Sequence, residues 1–194
     1  MADYIKFLGW DQNRLPLSTN VDHVLIISHC HYGVGFSPSR KPKEFKNGDR
    51  IFLARMTSSP NDYAIFGRGY AIEFDEERDW ATQKDIEILY WKKRWPCMLR
   101  VEKTVFIKGR LGDGITMTQL LKMFGPTTFV RSNEHALAGK TNINTRRFLA
   151  QQAFIELTSD SAEWLSKKFD LRLSERGKIS SSFIRALGRP EKEI

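Results

Sequence analysis

The sequence predicts an α+β fold: a small barrel-like sheet of about five or six mainly antiparallel strands, with two or three flanking helices. Three observations carry this. Segments around residues 63–74 and 97–107 alternate apolar and polar side chains with a period of two, as half-buried strands do, and a strand over residues 50–56 is expected to follow the Asn47-Gly48 turn. Helical spacing after residue 116 comes in two stretches, each opened by a capping residue. The 194 residues, 41% hydrophobic and 28% charged, suffice for one core without disulfide or metal staples.

The first element is expected at residues 24–28. Val24, Leu25, Ile26 and Ile27, an apolar and partly β-branched run, lead into Ser28, His29, Cys30, His31 and Tyr32, the pattern of a buried strand opening into a loop. The loop should continue through Gly33, Gly35, Pro38 and Pro42 to Asn47-Gly48, a turn pair that tolerates positive φ. After the strand at 50–56, Ala64, Phe66, Arg68, Tyr70, Ile72 and Phe74 share one face of the next, with Gly67 and Gly69 on the other. Two positions without side chains on one face predict a bulge or the close approach of another group. In the third strand Cys97, Leu99, Val101, Val105 and Ile107 form one apolar face, interrupted at Lys103.

Thr116 and Gln119 form a capping box, and Met117, Leu120, Leu121 and Phe124 follow at i, i+3, i+4 and i+7, stopped by Gly125-Pro126. Residues 127–147, with Arg131, Lys140, Arg146 and Arg147 against the one acid Glu134, read as a long functional loop. A strand at 154–157 precedes Thr158-Ser159-Asp160, which caps a helix through Trp164, Leu165 and Phe169. Residues 1–170 are expected to form one domain, and residues 171–194 a basic tail with a helical turn around residues 183–187.

Charge narrows the partners. Thirty-one Lys and Arg against 23 Asp and Glu leave +8, which points to a polyanion. Two cysteines, Cys30 and Cys97, are too few for a disulfide framework or a four-thiolate zinc site and fit a reducing cytoplasm. No apolar run approaches membrane-spanning length, and residues 1–10 lack the pattern of a signal peptide.

His29-Cys30-His31 invites a metal reading, but adjacent residues of an extended chain point to opposite faces, and no second ligand pair stands at zinc spacing. No metal or cofactor is expected. Gly109, Gly112 and Gly114 lack the order of a phosphate-binding loop and read as a turn. More informative is Tyr90-Trp91-Lys92-Lys93-Arg94-Trp95-Pro96, three aromatics and three cations in seven residues. Indoles stack on bases, and neighbouring cations can meet phosphates.

The order of segments resembles the PUA-like superfamily, and within it the EVE and YTH-like domains. Carrying the resemblance are Val24-Leu25-Ile26-Ile27-Ser28 as a first strand ending in serine and Asn47-Gly48-Asp49-Arg50-Ile51-Phe52-Leu53 as the family's GDR strand start. Ile65-Phe66-Gly67-Arg68-Gly69-Tyr70-Ala71 is similar to its G-x-A strand. Trp95-Pro96 leads into Leu99-Arg100-Val101, and Phe154-Ile155-Glu156-Leu157-Thr158 precedes the helix with Trp164. Together they span roughly residues 20–170.

The resemblance implies a PUA-like barrel whose mouth holds one modified base, flipped out of DNA or held from single-stranded RNA, with methylated or hydroxymethylated cytosine or methyladenine in DNA the favoured ligand. Such domains read and do not catalyse; many resemble the specificity modules of modification-dependent restriction systems, in which a separate nuclease subunit is a partner. By that carry-over Ser28 and His29 open into the pocket and Trp91 and Trp95 form its aromatic wall. Three residues separate these tryptophans where YTH domains have four, and Ile27 replaces the usual lysine before the serine. Arg131, Lys140, Arg146 and Arg147 would grip the nucleic-acid backbone. The alternative in the same fold is a PUA-like RNA-binding module acting on tRNA or rRNA. A small hydrolase or nuclease finds no paired carboxylates to support it.

Overall fold

The computed structural model describes residues 1–30, 33–150 and 152–180. The chain runs β1 (Asp3–Leu8), α1 (Val21–Ser28), β2 (Gly33–Phe36), β3 (Arg50–Ser58), β4 (Asn61–Ala71), α2 (Gln83–Ile88) and β5 (Cys97–Ile107). It continues with β6 (Ile115–Thr116), α3 (Met117–Phe124), α4 (Val130–Leu137), β7 (Phe154–Glu156), α5 (Ser159–Arg176) and β8 (Lys178–Ser180). The strands form one sheet ordered β2-β5-β4-β3-β1-β7, with β6 added to β4 and β8 to β5. Every pairing is antiparallel except β1 with β3. The α+β class and mainly antiparallel sheet are as expected; the strands number eight, because β1 and the short β6 and β8 give no clear periodic signal and Gly33–Phe36, expected as loop, pairs with β5 as β2.

The sheet curls. β2 and β7 end the strand path, yet Phe36 on β2 and Phe154 on β7 bring their rings within 5.7 Å. Phe45, on the segment leading to β3, touches both, and Tyr4 of β1 as well. Side chains thus join what no ladder among the described residues does. The inner face carries Tyr4, Leu8, Val34, Phe36, Leu53, Leu99 and Phe106, with α1 plugging one end through Val21, Val24 and Leu25. The outer face, with Ile5, Phe7, Phe52 and Ile107, packs on Met117 and Leu120 of α3 and Leu165 and Phe169 of α5.

Three expectations are corrected. Residues 24–28 are the last turns of α1: Val21, Val24, Leu25 and Ser28 are buried at i, i+3, i+4 and i+7, while Ile26 is exposed. Tertiary burial of a helical face overrides the strand preference of β-branched residues there. The first strand is β1, hidden because Lys6 stands at an inward position between Tyr4 and Leu8. Residues 127–147 are not a long loop. Buried Phe129 anchors α4, and Ser132 Oγ accepts from the Phe129 N–H while donating to Pro126 O. In addition, residues 171–180, placed in the tail by the sequence reading, continue α5 and form β8 on β5. Residues 181–194, with the turn expected at 183–187, lie outside the described residues.

The glycine pair of β4 has a physical reason. Between Leu53↔Gly67 and Ala54↔Ile65 the register shifts, leaving Phe66 as the extra residue of a bulge. A Cβ on Gly67 would lie 2.6 Å from the Phe106 ring, and one on Gly69 2.4 Å from Val101 Cγ1. Gly69→Ala should therefore cost about 1–3 kcal/mol by overpacking, read from the urea midpoint. A second bulge sits in β5, where Tyr70↔Glu102 and Arg68↔Val105 bracket Lys103 at φ 50°. It reverses the side-chain phase: Leu99 and Val101 face inward, then Phe106, while Val105 and Ile107 turn outward. The single apolar face expected across Lys103 is in fact two.

α3 begins as expected, with the Thr116 and Gln119 capping box and Gly125 at φ 51° closing it. α5 likewise follows Thr158 and carries Trp164, Leu165 and Phe169.

Candidate functional site

A cavity of about 960 Å³ opens at the mouth of the curled sheet, between the C-terminus of α1 and residues 91–95. Trp91 belongs to a short 3₁₀ turn, Tyr90–Lys93, after α2. Its Nε1–H donates to Ile27 O at 2.9 Å, which ties the turn to the end of α1. Gly35 of β2 permits the close approach, since a Cβ there would sit 2.9 Å from Trp91 Cζ3 and 2.8 Å from Trp95 O. Trp91 and Trp95 lie 6.4 Å apart by ring centroids, and Trp10, just past β1, lies 5.0 Å from Trp95. Three indoles therefore follow one another along the wall.

Ser28 lines the cavity, but its Oγ donates to Val24 O at 2.6 Å and lies 3.2 Å from Cys30 Sγ. What it offers a ligand is a remaining lone pair. His29 ends α1 in the left-handed conformation, φ 52°, and does not line the cavity. The carry-over of a first strand opening at Ser28 and His29 is corrected with the helix itself. Lys92 also turns inward: it is buried and sits 3.8 Å from Asp85, so it is not free to meet phosphate.

Charge is the cavity's second character. Lys6, Arg14, Arg40, Arg55, Arg94 and Arg146 line it, and Asp11 is the one acid among the described lining residues. Asp11 pairs with Arg14 at 2.6 Å and is itself 84% exposed. Arg94 lies over the Trp95 ring, 5.0 Å from its centroid. Arg146 bonds to Thr118 and stands 3.6 Å from Asp62.

Two of the cations are buried on the inner face. Lys6 and Arg55 are 5% and 3% exposed. In the parallel register Lys6 faces Leu53 and Leu8 faces Arg55, so the two are diagonal neighbours on one side of the sheet. Lys6 Nζ donates to Phe7 O at 2.9 Å and lies 4.6 Å from the Phe36 ring centroid. Burial lowers its pKa to about 7, and burial also lowers that of Arg55. Arg55 Nη2 donates to Asn13 O at 2.8 Å, while its Nε has no hydrogen-bond partner. Neither side chain is ion-paired to a carboxylate among the described residues.

The other predicted backbone residues gather nearby. Arg131, Lys140 and Arg147 line a separate depression of about 530 Å³ with His135 and Asn144. A further one of about 700 Å³, with Lys41 and Lys43, shares Arg40 and Gln152 with the cavity, and Arg131 and Gln152 with that depression. A basic track thus leads from the cavity across the neighbouring surface, although Lys41 and Lys43 also engage Glu76.

Sequence reasoning missed Trp10, Lys6 and Arg55. The signal lay in alternation: Lys6 and Arg55 stand where the inward face of a strand calls for apolar residues. No three His, Cys, Asp or Glu side chains gather to hold a metal, and no helix is long and apolar enough to cross a membrane, among the described residues. His31 lies outside them.

The architecture so defined is a curled α+β sheet with an aromatic, cation-lined cavity at its mouth. Among solved structures it is similar to human THYN1 in complex with 5-methylcytosine-containing DNA, with 14% identity, 89% of this chain and 98% of that chain covered, and a TM-score of 0.41. It is also similar to Rpa0253 from Rhodopseudomonas palustris, with 12% identity, 88% and 94% of the chains covered, and a TM-score of 0.39. No family model and no curated protein matches the chain.

Proposed function

We propose that this chain is a nucleic-acid-binding reader with a PUA-like fold that takes one modified base into the cavity, while the basic track carries the flanking backbone. The observation that supports it most is the cavity itself. It opens between Ser28 and the Trp91–Trp95 segment, is walled by three indoles, and continues into a track of cations. Its volume lies in the ~300–1,000 Å³ range of small-molecule pockets. Trp95, flanked by Trp10 and Trp91, would stack the base; Ser28 Oγ would accept from its edge; Arg131, Lys140, Arg146 and Arg147 would meet phosphates. Flipping a base costs a few kcal/mol, which a stack of ~1–3 kcal/mol plus phosphate contacts offsets. A reader of this kind does no chemistry itself and fits the specificity half of a modification-dependent restriction system, with the nuclease on a partner subunit.

Fluorescence polarisation against matched duplexes tests the reading. The set carries cytosine, 5-methylcytosine, hydroxymethylcytosine or methyladenine, at one fixed salt concentration because phosphate contacts dominate affinity. One modified duplex should bind tightest, and Trp95→Ala should weaken it roughly 5- to 100-fold. Trp95 is the cleaner substitution, since Trp91 also holds the end of α1. Equal affinity for all duplexes, unchanged by Trp95→Ala, would overturn the reading; structured RNA outcompeting them would move it to RNA.

A further inference from the structure

Lys6 and Arg55 present an imbalance that the cavity does not resolve from within. A buried cation is stable when an anion or a full set of acceptors replaces the water it has lost. Lys6 has one backbone carbonyl and an aromatic face. Arg55 has one backbone carbonyl and an unsatisfied Nε. The surrounding groups do not help: Arg14, Arg40, Arg94 and Arg146 add positive charge from four other segments, and Asp11, the one acid among the described lining residues, is solvent-exposed and held by Arg14.

The backbone nevertheless makes room for this arrangement. Gly9, at φ 84°, lies where a Cβ would stand 2.7 Å from the Arg55 guanidinium carbon, so the chain just past β1 is shaped around that side chain. Trp10, the next residue, begins the indole wall. The cation pair and the stacking surface therefore belong to one recess.

We propose that Lys6 and Arg55 form an oxyanion subsite at the inner end of the cavity, so that the nucleotide taken in brings a negative group with its ring. Resting on the reader function proposed above, this names the ligand's chemistry: a carboxylate or phosphate oxygen accepting from the ammonium and the free guanidinium N–H while the ring lies on the tryptophans. A methyl group alone leaves both cations uncompensated. The negative group has two sources, a carboxylate on the base itself or the phosphate of its nucleotide.

Calorimetric titration of the full chain with 2′-deoxycytidine, 5-carboxy-2′-deoxycytidine, deoxycytidine 5′-monophosphate and inorganic phosphate separates these sources, with the 5-methylcytosine duplex alongside. At least one anionic ligand should bind about tenfold or more tightly than deoxycytidine, the margin of charge-assisted over neutral hydrogen bonds. Tighter carboxy-nucleoside places the charge on the base; tighter monophosphate places it on the sugar. Lys6→Met, close in volume, and Arg55→Gln should each erase the preference. At pH 8, where burial leaves Lys6 largely neutral, binding should take up a proton. That uptake appears as a dependence of the observed heat on the buffer's ionisation enthalpy, and it should vanish in Lys6→Met. Deoxycytidine binding as tightly as every anionic ligand would overturn the subsite. So would duplex binding that persists unchanged in both variants, which leaves the reader intact. Anion preference without any duplex binding would instead sink the reader and keep the subsite.

Discussion

Phe45→Ala should lower stability by about 3–5 kcal/mol, among the larger losses a single core truncation gives. Phe45 is fully buried and belongs to no strand. Its ring lies 4.7 Å from Tyr4 on β1, 5.7 Å from Phe36 on β2 and 4.8 Å from Phe154 on β7. Aromatic pairs in such tilted arrangements add ~0.5–1.5 kcal/mol each beyond the area they bury. Three are lost together, where the two ends of the sheet meet through side chains. Phe45→Leu keeps most of the volume and should cost clearly less. Urea unfolding of both variants decides the matter; a loss under about 1 kcal/mol for alanine would mean that the seam is closed by something else.

Lys6→Met should stabilise the free protein at neutral pH and flatten its pH profile. The unfolded lysine titrates near 10.4, whereas burial lowers the folded one to about 7. Between those values the unfolded chain binds a proton that the folded chain does not, so stability rises with pH across the window. As pH falls towards 7 the native state loses on the order of a few kcal/mol, and below 7 the penalty is constant. Methionine carries no proton and removes it. Unfolding midpoints at pH 6, 7, 8, 9 and 10 should climb for the natural chain and change much less for the variant. A variant less stable than the natural chain at pH 7 would show that the Phe7 carbonyl and the Phe36 ring already compensate the charge.

The strands β4 and β5 were legible because their alternation is local, and β3 because a turn pair precedes its apolar run. β3, β4 and β5 and the capped starts of α3 and α5 need only neighbouring residues to be recognised. The α1 helix was not, since four consecutive apolar residues suit a buried strand as well as a helix, and only the packing of Val21, Val24 and Leu25 under the barrel end decides. The phase reversal at Lys103 depends on a left-handed residue that no periodicity announces. Of the site, Trp91 and Trp95 were visible as aromatics among cations. Trp10 arrives from the far end of the chain, and Lys6 and Arg55 went unnoticed because what sets them apart is burial beside carbonyls rather than carboxylates, which only the folded sheet brings about.

The place of β1 also bears on how the chain is made. Its neighbours are β3, residues 50–55, and β7, residues 154–156, so its second edge has no partner until most of the chain exists. The β3–β4 hairpin closes a short loop and should form early, whereas seating β1 between β3 and β7 carries a larger loop-closure cost and comes late. During synthesis Tyr4, Ile5, Phe7 and Leu8 emerge before both partner strands and wait for them, an apolar segment of the kind that sticks to other chains. Lys6 breaks it in the middle. In the unfolded chain its ammonium is hydrated and fully charged at neutral pH, as a gatekeeper against aggregation should be. It gives up that water only when the last strands arrive.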